Sequence, residues 1–116
     1  MSHQERLAAE RGRIDSVISD LRDEMAAIEE TTAAGPDDEH DAEGSTVAYE
    51  RARVRALLAH AEQAAAQLDG AARRARESDD TGRGGLRCQL CRQPIPDERL
   101  LALPATTTCV TCAAGP

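Results

Sequence analysis

The sequence has almost no aromatic side chains: its 116 residues include one tyrosine, Tyr49, and no tryptophan or phenylalanine. Much of its 41% apolar content is alanine, which buries little area per side chain. A large compact core is therefore not expected, and a composition rich in Ala, Glu, Arg and Leu favours long helices. No run of about 18 apolar residues occurs, so the sequence predicts no membrane-spanning segment.

Lysine is also absent, so all 14 basic residues are arginines, and 21 acidic residues give a net charge of −7. Duplex DNA binding depends on neutralising phosphates, which argues against DNA as the main partner of an acidic chain. The charge favours instead a protein partner with a basic surface. The charged beginning of the sequence has no apolar stretch, which predicts no signal peptide and a cytoplasmic location.

Cysteine is scarce, but its four copies form two C-x-x-C pairs, Cys88 with Cys91 and Cys109 with Cys112. This spacing is typical of one tetrahedral site, and soft thiolates favour Zn²⁺. Four thiolates leave no coordination position open, so the sequence predicts a structural zinc ion. The alternative is two disulfides, which need an oxidising compartment and, in adjacent C-x-x-C pairs, usually a βαβ fold.

Two stretches show the alternating three- and four-residue apolar spacing of a coiled coil, at residues 4–30 and 46–77. Gly35 and Pro36 end the first, while Arg11 interrupts its seam and Gly12 lowers its helix propensity, so we expect the first two turns to fray. The seam residues of the first helix are Leu7, Ile14, Ile18, Leu21, Met25 and Ile28. Those of the second are Val47, Val54, Leu58, Ala61, Ala65, Leu68, Ala72 and Ala75.

These patterns predict a mainly α fold, an antiparallel two-helix coiled-coil hairpin followed by a small four-cysteine zinc finger. Residues 1–80 form the hairpin, with an acidic tip at 36–45, and 81–116 form a glycine-rich linker and the finger. A turn near residue 38 would pair Ile28 with Val47, and Leu21 with Val54. Three isolated histidines and no nucleophile–base pair predict that the chain is not an enzyme.

The finger contains Pro94–Ile95, Arg99–Leu100 and Leu103–Pro104 between its two cysteine pairs, and the segment 38–52 reads DEHDAEGSTVAYERA. With the preceding hairpin, these features resemble a short member of the DksA/TraR zinc-finger family of bacterial transcription regulators. The resemblance implies binding to RNA polymerase, with the hairpin tip entering the secondary channel to modulate initiation.

The resemblance also implies an acidic D-x-x-D-x-A motif at the tip. Asp38 and Asp41 match its aspartates, and Glu43 stands where the family has alanine. Long members bind guanosine tetraphosphate with basic residues, one of which corresponds to Leu103 here, so we expect no response to this nucleotide. We also expect a monomer without sequence-specific DNA binding.

Two alternatives remain at this point. The chain could be a zinc-ribbon structural or adaptor protein that forms a homodimer through the alanine-rich seam or binds another protein. The acidic cluster could also be a solvated turn, because acidic residues favour helix N-termini.

Overall fold

The computed structural model describes residues 2–34, 41–81 and 86–115. This part of the chain holds four helices and no strand: α1 (His3–Ala34), α2 (Asp41–Thr81), α3 (Asp97–Ala102) and α4 (Val110–Ala113). The predicted mainly α fold, two long helices followed by a four-cysteine finger, is confirmed. Among the described helices, none is both long and apolar enough to cross a membrane.

α1 begins at His3, one residue before its predicted start, and fraying of its first two turns stays a prediction. Ser2 caps it: the Ser2 hydroxyl accepts a hydrogen bond from the Glu5 backbone N–H at 3.1 Å, and the Ser2 carbonyl accepts one from Arg6 N–H at 3.0 Å. A cap of this kind stabilises a helix by about 1 kcal/mol, which is similar to the cost of having Gly12 in the helix interior.

Both long helices exceed their predicted lengths. α2 begins at Asp41 and continues to Thr81, so it extends beyond both ends of the predicted stretch 46–77. None of residues 78–81 is glycine or proline, and the first glycine beyond them is Gly82, so nothing in this stretch forces the helix to end.

The chain divides into two compact units. We call Arg13–Ala64 the hairpin unit, and Met1–Gly12 together with Ala65–Pro116 the finger unit.

The hairpin unit contains α1 and α2 segments in antiparallel order, packed through the predicted seam. Its most buried side chain is Val54, with 0% exposure, and it shares the core with Ile18, Leu21 and Ala61. Two ion pairs join the helices at 3.5 Å, Arg53 with Glu24 and Arg22 with Glu62. The apolar periodicity therefore identified the packed faces correctly.

The finger unit contains the first turns of α1 beside the last turns of α2. Leu7 and Leu68, both predicted seam residues, are buried here. The other buried side chains of this stretch are small, namely Ala65, Ala71 and Ala75. Small side chains let two helices approach closely, but they bury little apolar area.

Candidate metal centre

The first cysteine pair lies in a tight turn. The Cys88 carbonyl accepts a hydrogen bond from Arg92 N–H at 3.0 Å, which closes the turn, and Leu90 N–H points to the Cys88 sulfur at 3.4 Å. Arg92 follows the turn with φ of 66°, a left-handed conformation that is uncommon for a residue with a side chain. This backbone shape brings both sulfurs to one side of the loop.

The second pair begins a short helix. Cys109 is the N-cap residue of α4, and its carbonyl accepts a hydrogen bond from Ala113 N–H at 3.0 Å. Because residues three apart lie on the same face of a helical turn, Cys109 and Cys112 present their sulfurs together.

The two pairs meet. The Gln89 N–H donates to the Thr107 carbonyl at 2.9 Å, linking the segments that carry them. All four sulfurs lie within 4.8 Å of one another, and the Cys91 and Cys109 sulfurs are 3.7 Å apart. A tetrahedral zinc ion with Zn–S bonds of about 2.3 Å requires sulfurs about 3.8 Å apart. The cluster thus has the spacing and the ligand chemistry of one structural zinc ion.

A small core supports the cluster from one side. It consists of Cys88, Ile95 and Leu100, and Cys88 is only 1% exposed. Leu86, Cys109 and Cys112 are partly buried and pack against this core. The Ile95 N–H donates to the Leu86 carbonyl at 2.9 Å and holds the two sides of the first turn together. Cys91, by contrast, is exposed, so the site is closed by ligands and not by burial.

Hydrogen bonds within the cluster move the thiol pKa values apart. The backbone N–H of Cys91, with further backbone donors, lowers the pKa of Cys88 to about 6. Hydrogen bonding to the Cys109 sulfur and the other thiols raises the pKa of Cys112 to about 12. Backbone hydrogen bonding from Cys112 lowers the pKa of Cys109. A bound zinc ion would take the place of the shared protons, because it binds thiolates.

Two arginines for which the sequence pattern predicted no structural role also donate hydrogen bonds to the backbone of the finger. The Arg99 Nε donates to the Thr108 carbonyl at 2.6 Å, tying α3 to the residue before Cys109. The Arg74 Nη2 lies 3.5 Å from the Ala105 carbonyl and links the end of α2 to the finger loop. Neither partner is recognisable from spacing, because a backbone carbonyl has no sequence signature.

The predicted tip is only partly described. Asp38 lies outside the described residues, while Asp41 is the first residue of α2 and Glu43 lies in its first turn. The side chains of Asp41 and Glu43 also lie outside the described part, so their role stays a prediction. Leu103 is the C-cap residue of α3 and is half exposed.

Comparison with known proteins addresses the family. The family model of the prokaryotic dksA/traR C4-type zinc finger matches residues 82–115. No curated protein sequence matches the chain. The fold is similar to the structure of transcription factor DksA2 from Pseudomonas aeruginosa, with a TM-score of 0.78 and 21% identity, covering 97% of this chain and 78% of that one. Residues 82–115 therefore match a zinc finger of the dksA/traR C4 type, and the chain has a helical fold similar to that of DksA2, as the resemblance in the sequence predicted.

Proposed function

We propose that the chain is a transcription regulator that binds RNA polymerase and inserts its acidic tip into the secondary channel to modulate initiation. It acts in the cytoplasm as a monomer, without catalysis and without sequence-specific DNA binding. Asp38, Asp41 and Glu43 are the tip contacts. The proposal is carried by one observation: the DksA/TraR-type finger occurs on a fold similar to that of a transcription factor.

The distribution of charge supports this role. The hairpin unit has 5 arginines and 13 acidic residues, a net charge of −8, whereas the finger unit has 9 arginines and 8 acidic residues. The acidic charge is thus concentrated in the unit whose sequence includes the tip. Such a unit is attracted to a basic surface or to a bound divalent cation, and this attraction weakens with salt.

The homodimer alternative has less support. The seam that would join two copies is used within one chain, because Val54 and Ala61 are buried in the hairpin unit, and Ala65 and Leu68 in the finger unit. A dimer through these residues would have to open each unit first.

The tip is tested with Asp41→Ala. We expect the variant to bind core RNA polymerase with nearly the affinity of the unchanged chain but to lose its effect on transcription in vitro, because the carboxylate acts after binding. Binding is measured by pull-down, with a known secondary-channel factor as competitor, and the effect by open-complex lifetime.

Asp20→Ala is the matched control, since it removes the same charge from an exposed position of α1 in the hairpin unit. It should retain both binding and effect. An unchanged effect of Asp41→Ala would disprove the tip assignment, and failure of the unchanged chain to compete would disprove channel binding.

A further inference from the structure

Two arginine side chains of α2 flank a glycine in the finger unit. A methyl group built on Gly70 would lie 3.4 Å from Arg74 Nη1 and 3.9 Å from Arg73 Nη2. Side chains on a helix lean toward its N-terminus, so residues 73 and 74 cover the position three or four residues before them. Because Gly70 has no side chain, the two guanidinium groups border a small notch on the helix surface, which we call the Gly70 notch.

Neither guanidinium group at the Gly70 notch forms an ion pair with a carboxylate among the described residues. Asp69, the acidic residue beside the notch, is held by Arg11 through two hydrogen bonds at 2.9 and 3.3 Å. Arg74 Nη2 lies 3.5 Å from the Ala105 carbonyl, which takes one of the five N–H donors of that group. Most donors at the notch therefore remain available to a ligand.

The two positive charges at the notch act on each other. Burial, and then the charge of Arg73, lowers the pKa of Arg74, and the charge of Glu77 opposes this shift. An arginine stays protonated at neutral pH, so the two like charges persist and repel. An anion held between them would offset this repulsion, whereas a cation or an apolar group would not.

We propose that the Gly70 notch binds a phosphate dianion, either free phosphate or the end of a phosphomonoester. Each planar guanidinium can donate two parallel hydrogen bonds to such an oxyanion, with charge-assisted distances of about 2.8 Å. Phosphate esters carry a charge of about −1.5 to −2 at pH 7, which matches two cationic groups better than one carboxylate does. The notch lies in the finger unit, which has 9 arginines and 8 acidic residues.

Inorganic phosphate tests the site in the zinc-loaded chain, without RNA polymerase. The readout is the position of the Arg73 and Arg74 Nε–H signals and of the Gly70 amide signal in ¹H–¹⁵N NMR spectra. Phosphate replaces chloride at constant ionic strength, so that general screening does not change. The three signals should shift together and saturate, with a Kd on the order of 5 mM.

Three further anions identify the ligand class. Methyl phosphate is a dianionic monoester and should bind within about twofold of inorganic phosphate, whereas saturation by inorganic phosphate alone would restrict the ligand to the free ion. Dimethyl phosphate has one negative charge, like the backbone of a nucleic acid, and acetate has the charge of a protein carboxylate. Both should bind about tenfold more weakly, because each leaves one guanidinium without a full charge partner.

The matched charge variants are Arg73→Gln and Arg76→Gln. Arg73→Gln should weaken phosphate binding about tenfold, because it removes one of the two charges at the notch. Arg76 is also exposed on α2 but has no atom within 4 Å of the added methyl position at Gly70. Arg76→Gln should therefore weaken binding less than about twofold.

Gly70→Ala tests the space itself with both charges in place. The added methyl group occupies the notch at ordinary contact distances from the two arginines, so binding should weaken about tenfold. Alanine has a higher helix propensity than glycine, so unfolding would not explain this loss. Circular dichroism melting verifies that every variant is folded.

Four results would overturn the proposal: shifts that do not saturate, equal affinity for acetate or dimethyl phosphate, unchanged binding by Gly70→Ala, or equal weakening by Arg73→Gln and Arg76→Gln. The last result would mean that the arginines of this unit attract anions without a defined site.

Discussion

Arg11 is a charged residue within the apolar seam of α1, and the structure shows how the seam tolerates it. Its Nε and Nη2 donate to the two carboxylate oxygens of Asp69 at 2.9 and 3.3 Å. Hydrogen bonding to Arg11 lowers the pKa of Asp69, so any stability from the pair is present above the usual aspartate pKa and lost as pH falls through the lowered value. The sequence reveals the interruption, but not a partner 58 positions away.

Gly12, the next residue, is a site where stability can be gained. A methyl group added there would meet no atom within 4 Å, so Gly12→Ala adds helix propensity without a clash. We expect it to raise the free energy of unfolding by about 1 kcal/mol, measured by thermal melting.

The matched change Gly70→Ala places the methyl 3.4 Å from Arg74 Nη1, an ordinary van der Waals distance, so it should raise the free energy of unfolding by a similar amount. A loss of stability on either substitution would contradict this.

His3 gives the finger unit a pH dependence. Both its ring nitrogens are buried, and neither has a hydrogen-bond partner among the described residues. Burial, then the charge of Arg6, lowers the pKa of His3 below 6.5, with Asp97 opposing. The unfolded chain therefore binds more protons just below pH 6.5, and stability falls as pH falls through that window.

His3→Gln should remove this slope from a series of denaturant unfolding curves between pH 7 and pH 5. His60→Gln is the control, because His60 is exposed on α2, and it should leave the slope in place. A slope that survives His3→Gln would assign it to other groups.

At the scale of elements, periodicity predicts which faces pack but not where helices end. The seven-residue repeats selected Leu21 and Val54 as core residues, and both are buried. The ends of α2 were misplaced because Asp41 and Ser45 are both possible caps at its start, and because no glycine or proline precedes Gly82 at its end. The two cysteine turns were predictable because metal coordination restricts their spacing tightly.

Val54→Ala tests the packing of the hairpin unit. The side chain is fully buried, so losing two methyl groups should cost about 2 kcal/mol of unfolding free energy. Val17→Ala makes the same chemical change at a side chain that is 46% exposed on α1 in the same unit, and should cost less than about 0.5 kcal/mol. Chemical denaturation measures both, and equal costs would mean that the seam is wrongly identified.

At the scale of the whole molecule, the metal and the predicted tip belong to different units. The zinc cluster belongs to the finger unit, whereas the residues predicted for the tip belong to the hairpin unit. The core of the hairpin unit is made entirely by α1 and α2, so it does not depend directly on the metal.

Zinc removal should therefore unfold the finger but leave most of the helix. We expect a chelator to cause only a minor loss of the circular dichroism signal at 222 nm, while amide signals of residues 86–115 collapse in NMR spectra. Returning zinc should restore them. Loss of most helical signal on chelation would show that the hairpin depends on the metal.

The composition of the two units also has a kinetic consequence. The hairpin unit is one continuous stretch, Arg13–Ala64, so its contacts join residues that are close along the chain and can form early. The finger unit combines Met1–Gly12 with Ala65–Pro116, and its zinc site is complete only once Cys112 has left the ribosome. A nascent chain could thus form its acidic hairpin before its zinc site can be completed.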